Sequence, residues 1–279
     1  MMTLVAASPV VADTTLTIGR AAVLGTVQGL TEFLPVSSSA HLFVVPRLLG
    51  WGYHGVAFDV ALHGGTLLAL LVAFAGDWWR LATGLVTPNA ERRGAAWRLL
   101  AWLAVATVPG AIAGKLLEDA AEHALRSLPL QAVMLIVFGF LLWAVDRWRG
   151  EGRETTAPSW GTALLMGFAQ ALALVPGVSR SGVTITAGRA AGLARVSAAR
   201  FSFLLATPIT LGAVLLKVRH MPHDVSRAAL AVGVVTSALV GLLAIRGLLR
   251  WLQRAGFGVF FAYRAALGLA LLAVAFRGR

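Results

Sequence analysis

The chain has no cysteine, so neither a disulfide nor a thiolate metal site can form. It is also poor in charge. Only 13% of its 279 residues are Asp, Glu, Lys or Arg, against about a quarter in an ordinary soluble domain. Acids are the scarcer kind, 12 against 24 Lys and Arg, which leaves a formal charge of +12. A basic balance can signal nucleic acid. Here most arginines lie at the ends of apolar runs or in short loops between them, which suits anionic lipid headgroups, and no nucleic-acid partner is expected. No Walker loop, zinc signature or nucleophile elbow occurs, so those routes to catalysis are set aside. The stretch Met1 to Asp13 lacks a basic region ahead of its apolar residues, so no cleaved signal peptide is expected.

What the chain has is apolar length, with 58% hydrophobic residues. Eight segments stand out, roughly 19–34, 58–76, 97–116, 128–145, 160–175, 199–217, 228–246 and 257–276. Most approach the ~20 residues that a helix needs to cross a bilayer. The first and fifth are shorter and end in a proline with a Ser/Gly cluster: Pro35-Val36-Ser37-Ser38-Ser39 and Pro176-Gly177-Val178-Ser179-Arg180-Ser181-Gly182. A shift of 142 residues lays Gly25 on Gly167, Gln28 on Gln170, Leu30 on Leu172, Ser37 on Ser179 and Ser39 on Ser181. One further residue of offset lays Phe58 on Phe201 and Leu62 on Leu205.

These matches predict a duplicated chain. The expected fold is an all-α polytopic membrane protein, one membrane domain over 1–279 with repeats at approximately 19–146 and 160–276. Each repeat would hold one re-entrant helical hairpin and three transmembrane helices. Broken backbone is tolerated at membrane depth only where protein or a polar cavity covers it. Three crossings is an odd number, so the second copy starts on the opposite face. Inverted repeats place their sites between the copies near the midplane. The loops with Arg80, Arg92 and Arg93, with Arg147, Arg149 and Arg153, and with Arg246, Arg250 and Arg254 would share the cytoplasmic face. The acidic loop 117–127, with Glu118, Asp119 and Glu122, would lie outside with both termini; Lys217, Arg219 and Arg227 count against this orientation.

Glu32 is the only acid between Asp13 and Asp59, and a carboxylate at membrane depth signals function. Gln28 lies four residues before it, on the same helical face. Beyond Pro35, Ser37, Ser38 and Ser39 open a new helix, whose free N–H groups and hydroxyls suit an anion. His41 shares a face with Ser37 and Ser38 and is a candidate acid or base. In the second motif Ser179 and Ser181 flank Arg180, whose planar fork suits phosphate, and Thr184 follows four residues later. Glu32 corresponds to Leu174, Ser38 to Arg180 and His41 to Val183. One copy kept the acid and the other the arginine, so a phosphate or diphosphate pocket is expected where they meet, with Arg180 pairing with Glu32 or the ligand. One carboxylate beside phosphates suits Mg²⁺. Weaker candidates are Asp59 with His63, as outer or metal residues; Arg189, at an entrance or interface; and Arg264, snorkelling or balancing a buried acid. The tryptophans that flank segments read as interfacial belts.

The run from Gln28 through Glu32 and Pro35 to Ser39, with His41, closely resembles the undecaprenyl-diphosphate phosphatase family linked to bacitracin resistance. So does Pro176-Gly177-Val178-Ser179-Arg180-Ser181-Gly182, and the likeness covers nearly the whole chain. The resemblance implies an enzyme of the bacterial inner membrane that converts undecaprenyl diphosphate to undecaprenyl phosphate and inorganic phosphate. That reaction recycles the lipid carrier of peptidoglycan synthesis. It also implies a divalent cation, Mg²⁺ first and Ca²⁺ second, re-entrant hairpins in inverted repeats, and surrounding lipid. A homodimer is a further expectation.

Carried over position by position, Glu32, Ser38, His41 and Arg180 would be catalytic, with Glu32 serving the metal or the base step. Gln28, Ser37, Ser39, Ser179, Ser181 and Thr184 would bind substrate. Two positions depart from the family pattern: Gln28 stands where many members have Glu, a better metal ligand, and Ala40 replaces a common Gly. Either Ser38 attacks with His41 as base, or water attacks and His41 acts as acid or base. The rival reading is a prenyl-phosphate lipid flippase or anion transporter without hydrolysis.

Overall fold

The computed structural model describes residues 16–52, 56–117, 125, 127–217 and 226–277. The start of the chain through Asp13, the acids Glu118, Asp119 and Glu122, and Arg219 lie outside the described residues. Among those described, eleven α-helices carry the fold, and an isolated β bridge joins Arg153 and Leu193. They are α1 (Ile18–Phe33), α2 (Ser38–Leu48), α3 (Val56–Ala73), α4 (Ala75–Val86), α5 (Ala90–Leu116) and α6 (Leu128–Arg149). α7 (Trp160–Leu172), α8 (Arg180–Ala190), α9 (Arg195–Lys217), α10 (Arg227–Leu252) and α11 (Gly258–Arg277) follow.

Five of these, α5, α6, α9, α10 and α11, are long and apolar enough to cross a membrane; α3 and α4 together would make a sixth span, bent by 68°. The protein is therefore all-helical and polytopic. The segment expected as one run over 58–76 breaks at Phe74. That side chain is buried and packs 6.1 Å from the ring of Phe203. Asp77, in the first turn of α4, is held at 2.8 Å by Arg200 of α9. These two contacts tie the break to α9, and α4 beyond it packs on α5. Elsewhere large apolar side chains such as Leu239 and Leu269 face outward and stay exposed, as lipid-facing positions should.

The two interrupted segments are hairpins that enter and leave on one face. Arg20, early in α1, lies 5.3 Å over the ring of Trp51, just past α2. Arg153, ahead of α7, donates to Gly192 beyond α8 and accepts from Ala194, at 2.8 and 2.9 Å. The first hairpin packs Ala21, Leu24 and Leu42 with Ala229 at the start of α10. At the other end of α10, Gly256 abuts Asp146, which is bonded to Arg189 at the end of α8 and to Arg195. The hairpins thus open toward opposite ends of α10.

Helix partners follow the same exchange. α1 and α3 lie on α10, α7 and α9 lie on α5, and α6 pairs with α11. The α1–α10 contact is close because it is lined by glycine: a Cβ on Gly25 would run into the carbonyl of Gly233, and one on Gly29 would sit 2.6 Å from that of Ser237. Arg189 is fully buried and donates to Asp146 Oδ1 at 2.9 Å and to the carbonyls of Leu193 and Gly150. It closes the base of the second hairpin rather than lining an entrance.

Candidate functional site

Proline ends the first limb of each hairpin, because its ring removes a donor and clashes with the preceding turn. The chain then needs a sharp reversal to start the second limb. In both hairpins a serine makes it with a positive φ: Ser37 at φ 76°, ψ 93° and Ser179 at φ 73°, ψ 114°. Such a conformation costs a non-glycine residue about 1–3 kcal/mol and persists only where surroundings enforce it. Arg264 of α11 is what surrounds it. Its guanidinium is fully buried, and it donates to Pro35 O at 3.0 Å in the first turn. It also donates to Gly177 O and Val178 O at 2.9 and 3.0 Å in the second, and to Leu135 O and Met134 O of α6. Among the described residues it meets no carboxylate. Arg264 therefore neither snorkels nor balances a buried acid; it satisfies carbonyls that the two breaks set free.

The turns bring Glu32 and Arg180 together. Arg180 Nη2 donates to Glu32 Oε1 at 2.7 Å, joining residues 148 positions apart. Glu32 Oε2 accepts from Ser38 Oγ at 2.6 Å and from Gln28 Nε2 at 3.1 Å. His63 Nε2 stands 3.4 Å from the same oxygen, its Nδ1 donating to the Asp59 carbonyl at 2.7 Å. The buried carboxylate is thus ringed by donors from both hairpins, with the His63 ring of α3 beside them, as a charge held away from water must be.

Beside this group lies a cavity of about 260 Å³. Glu32, Ser37, Ser38, Ser39, Ser179 and Arg180 line it, six of the ten residues expected at the site. The other four sit behind the wall. Gln28 reaches the cavity through Glu32. Ser181 donates across the hairpins to Leu34 O at 3.3 Å, and Thr184 bonds the Arg180 carbonyl at 2.8 Å and Ser202 Oγ at 2.6 Å. His41 Nδ1 donates to the Ser37 carbonyl at 2.7 Å, so its Nε2 accepts from Tyr263 Oη at 2.6 Å. In this arrangement His41 touches the cavity only through the backbone of Ser37.

The two helix starts differ. Ser179 Oγ accepts from Gly182 N at 3.2 Å and caps α8, whereas no side chain caps α2, where Ser37 Oγ meets Ser39 Oγ at 3.1 Å. The α2 end that faces the carboxylate cluster keeps its first-turn donors for an anion.

Three features of the cavity were not expected from the sequence. His63, a weaker candidate there, is part of the lining. Gln170 lines the wall opposite Glu32 together with Leu174. The third wall is apolar, formed by Gly110 of α5 with Ile209 and Ala213 of α9. Only the 142-residue match of Gln170 to Gln28 could have drawn attention to it.

The donor set bears on a metal. Among the described residues no group of three or more His, Cys, Asp or Glu could hold one. Glu32 is the single carboxylate on the cavity, and the neighbouring Gln28 keeps a buried Oε1 with no partner. One carboxylate with neutral oxygens is not a cage, but it fits a hard cation that takes its remaining ligands from phosphates and water.

The sequence matches the family described as bacitracin resistance protein BacA over residues 21–270. It is 50% identical to an undecaprenyl-diphosphatase of Gemmatimonas aurantiaca over 268 residues, 92% of this chain and 98% of the relative. Undecaprenyl-diphosphatases of Desulforudis audaxviator (256 residues, 91% and 96% of the two chains) and Pelotomaculum thermopropionicum (262 residues, 93% and 97%) are each 48% identical.

Proposed function

The chain belongs to the bacitracin resistance protein BacA family, and from that premise we propose that it hydrolyses undecaprenyl diphosphate to undecaprenyl phosphate and inorganic phosphate. The observation that carries the site assignment is the Glu32–Arg180 contact at 2.7 Å, which unites the two hairpins at the edge of the cavity. The diphosphate lies among Ser37, Ser38, Ser179 and Arg180, and the prenyl chain passes along Leu174, Ile209 and Ala213 into lipid. On entry the terminal phosphate takes over the Arg180 fork, which frees Glu32.

Glu32 then has a base's place. Its Oε2 is 2.6 Å from Ser38 Oγ, so it takes the proton of whichever oxygen attacks the terminal phosphorus, Ser38 Oγ or a water beside it. The bond to the bridging oxygen breaks, and the lipid monophosphate leaves with the electron pair. A phosphoserine formed by the first route is cleared by water. Arg180 and the α2 N–H groups stabilise charge on the transferring group, where positioning and electrostatics supply most of the rate. His41 holds the Ser37 carbonyl and with it the strained turn; its acid/base role runs through that bond or through Tyr263. A Mg²⁺ or Ca²⁺ ion would be held by Glu32, substrate phosphates and water, and when bound it would add positive charge against the phosphate oxygens. The enzyme resides in the bacterial inner membrane, where the carrier lipid is recycled.

The test is phosphate release from undecaprenyl diphosphate by detergent-purified protein with Mg²⁺, then Ca²⁺, beside Glu32→Ala and Arg180→Ala. Activity in the parent that both substitutions abolish with helicity intact supports the assignment. A folded parent that releases no phosphate with either cation overturns it, and lipid movement across vesicles then becomes the reading to pursue.

A further inference from the structure

The two hairpins differ at one pair of positions in a way that leaves a buried group unpaired. In α1, Gln28 donates to Glu32 four residues on, at 3.1 Å. In α7 the matching Gln170 has Leu174 four residues on. Gln170 is 4% exposed and lines the cavity, yet neither its Nε2 nor its Oε1 has a partner in the protein. A buried amide left so forfeits about 1–3 kcal/mol per group, and native proteins rarely carry one without a use.

Its place indicates the use. A Cβ on Gly110 would stand 3.1 Å from Gln170 Nε2 and 3.3 Å from Ile209 Cδ1, so the amide lies where the polar end of the cavity meets its apolar wall. The terminal phosphate belongs with Ser38 and Arg180. The phosphate that stays on the lipid must sit nearer the apolar wall, beside the amide.

We propose that Gln170 is a substrate-binding residue whose Nε2 donates to the phosphate retained on the prenyl chain, and that Gly110 keeps open the space this contact needs. The inference rests on the phosphatase reading for the identity of the ligand. The electron pair of the broken bond moves onto this phosphate, so the contact is made in the ground state and strengthens during phosphoryl transfer, and its loss raises KM and lowers kcat.

Gln170→Met keeps the volume and removes the donor. It is expected to raise KM for undecaprenyl diphosphate about tenfold, the worth of one hydrogen bond to a charged group, and to lower kcat as well. Because no protein partner is lost, Tm should hold or rise. Gly110→Ala, which crowds the amide without removing it, should move KM in the same direction by a smaller factor. A separate measurement, binding of a methylene-bridged diphosphonate analogue of the lipid, should show the same tenfold weakening in Gln170→Met. Unchanged analogue binding and unchanged KM in that variant overturn the inference, as does a fall in Tm with KM unaltered, which would mark the amide as structural. A parent that binds the analogue but releases no phosphate defeats the phosphatase reading, while the binding comparison still decides Gln170.

Discussion

The two hairpins share a backbone and divide the chemistry. Both break at a proline, both reverse through a serine with φ near 75°, and both start an eleven-residue second limb. In the first, the Gln28 amide donates to Glu32, and glycines let α1 approach α10 closely. In the second, Leu174 replaces the acid and Gln170 is unmatched, on a cavity that both hairpins line. One copy holds a proton acceptor in a sealed wall. The other offers a cation, a free amide and an apolar path. A backbone that builds two equivalent turns can thus give one asymmetric site, provided a few side chains diverge after the turns are fixed.

Making the halves alike should therefore remove function, and the largest effect is expected at Arg180. Arg180→Ser gives the second turn the residue of the first. It should lower kcat/KM by about 10³-fold or more, as loss of a transition-state arginine does in phosphoryl transfer, measured as phosphate release. Arg264→Met tests what the halves hold in common. Carbonyls of both turns lose their donor together, so stability should fall by about 3–5 kcal/mol, read as a Tm loss on the order of 10 °C. A smaller, local change would mean that each turn is held by its own half.

Leu174→Glu restores the missing acid and should draw Gln170 into an internal bond like that of Gln28. A second carboxylate also repels the diphosphate, so KM should rise about tenfold with the fold intact; an unchanged KM would place the substrate away from this wall. The smallest difference is expected at the turns themselves. Ser179 caps its helix and Ser37 does not, so Ser179→Ala should cost about 1 kcal/mol more stability than Ser37→Ala. Equal losses would show that the cap carries no weight at this depth.

Much of this was legible in the chain because it follows from solvent. Apolar length gives the spans, and proline followed by serines gives the breaks. A lone acid at membrane depth requires a partner, which makes Glu32 with Arg180 readable before any fold is known. What the sequence hid were contacts that depend on three dimensions. The bend at Phe74 comes from packing on Phe203 and the Arg200–Asp77 pair, not from a local breaker. Arg264 meets carbonyls, which every residue has, so no pattern marks its partners. Asp146, which anchors Arg189 and Arg195, lies near the end of an apolar run and belongs to no motif. Gln170 looked equivalent to Gln28; its difference lies in a neighbour four residues away.

The hold of Arg264 on both turns also bears on how such a chain can evolve. A duplicated gene begins as two units, each able in principle to drift or be lost alone. Once a side chain on the last helix of the second unit completes the turn at Pro35 in the first, neither unit is whole without the other. A change that shifts one turn is transmitted as strain to the other, so the two motifs are inherited as a single selectable character. The same coupling means that the first hairpin, cut off from the last helix, would keep a buried Pro35 carbonyl without its donor.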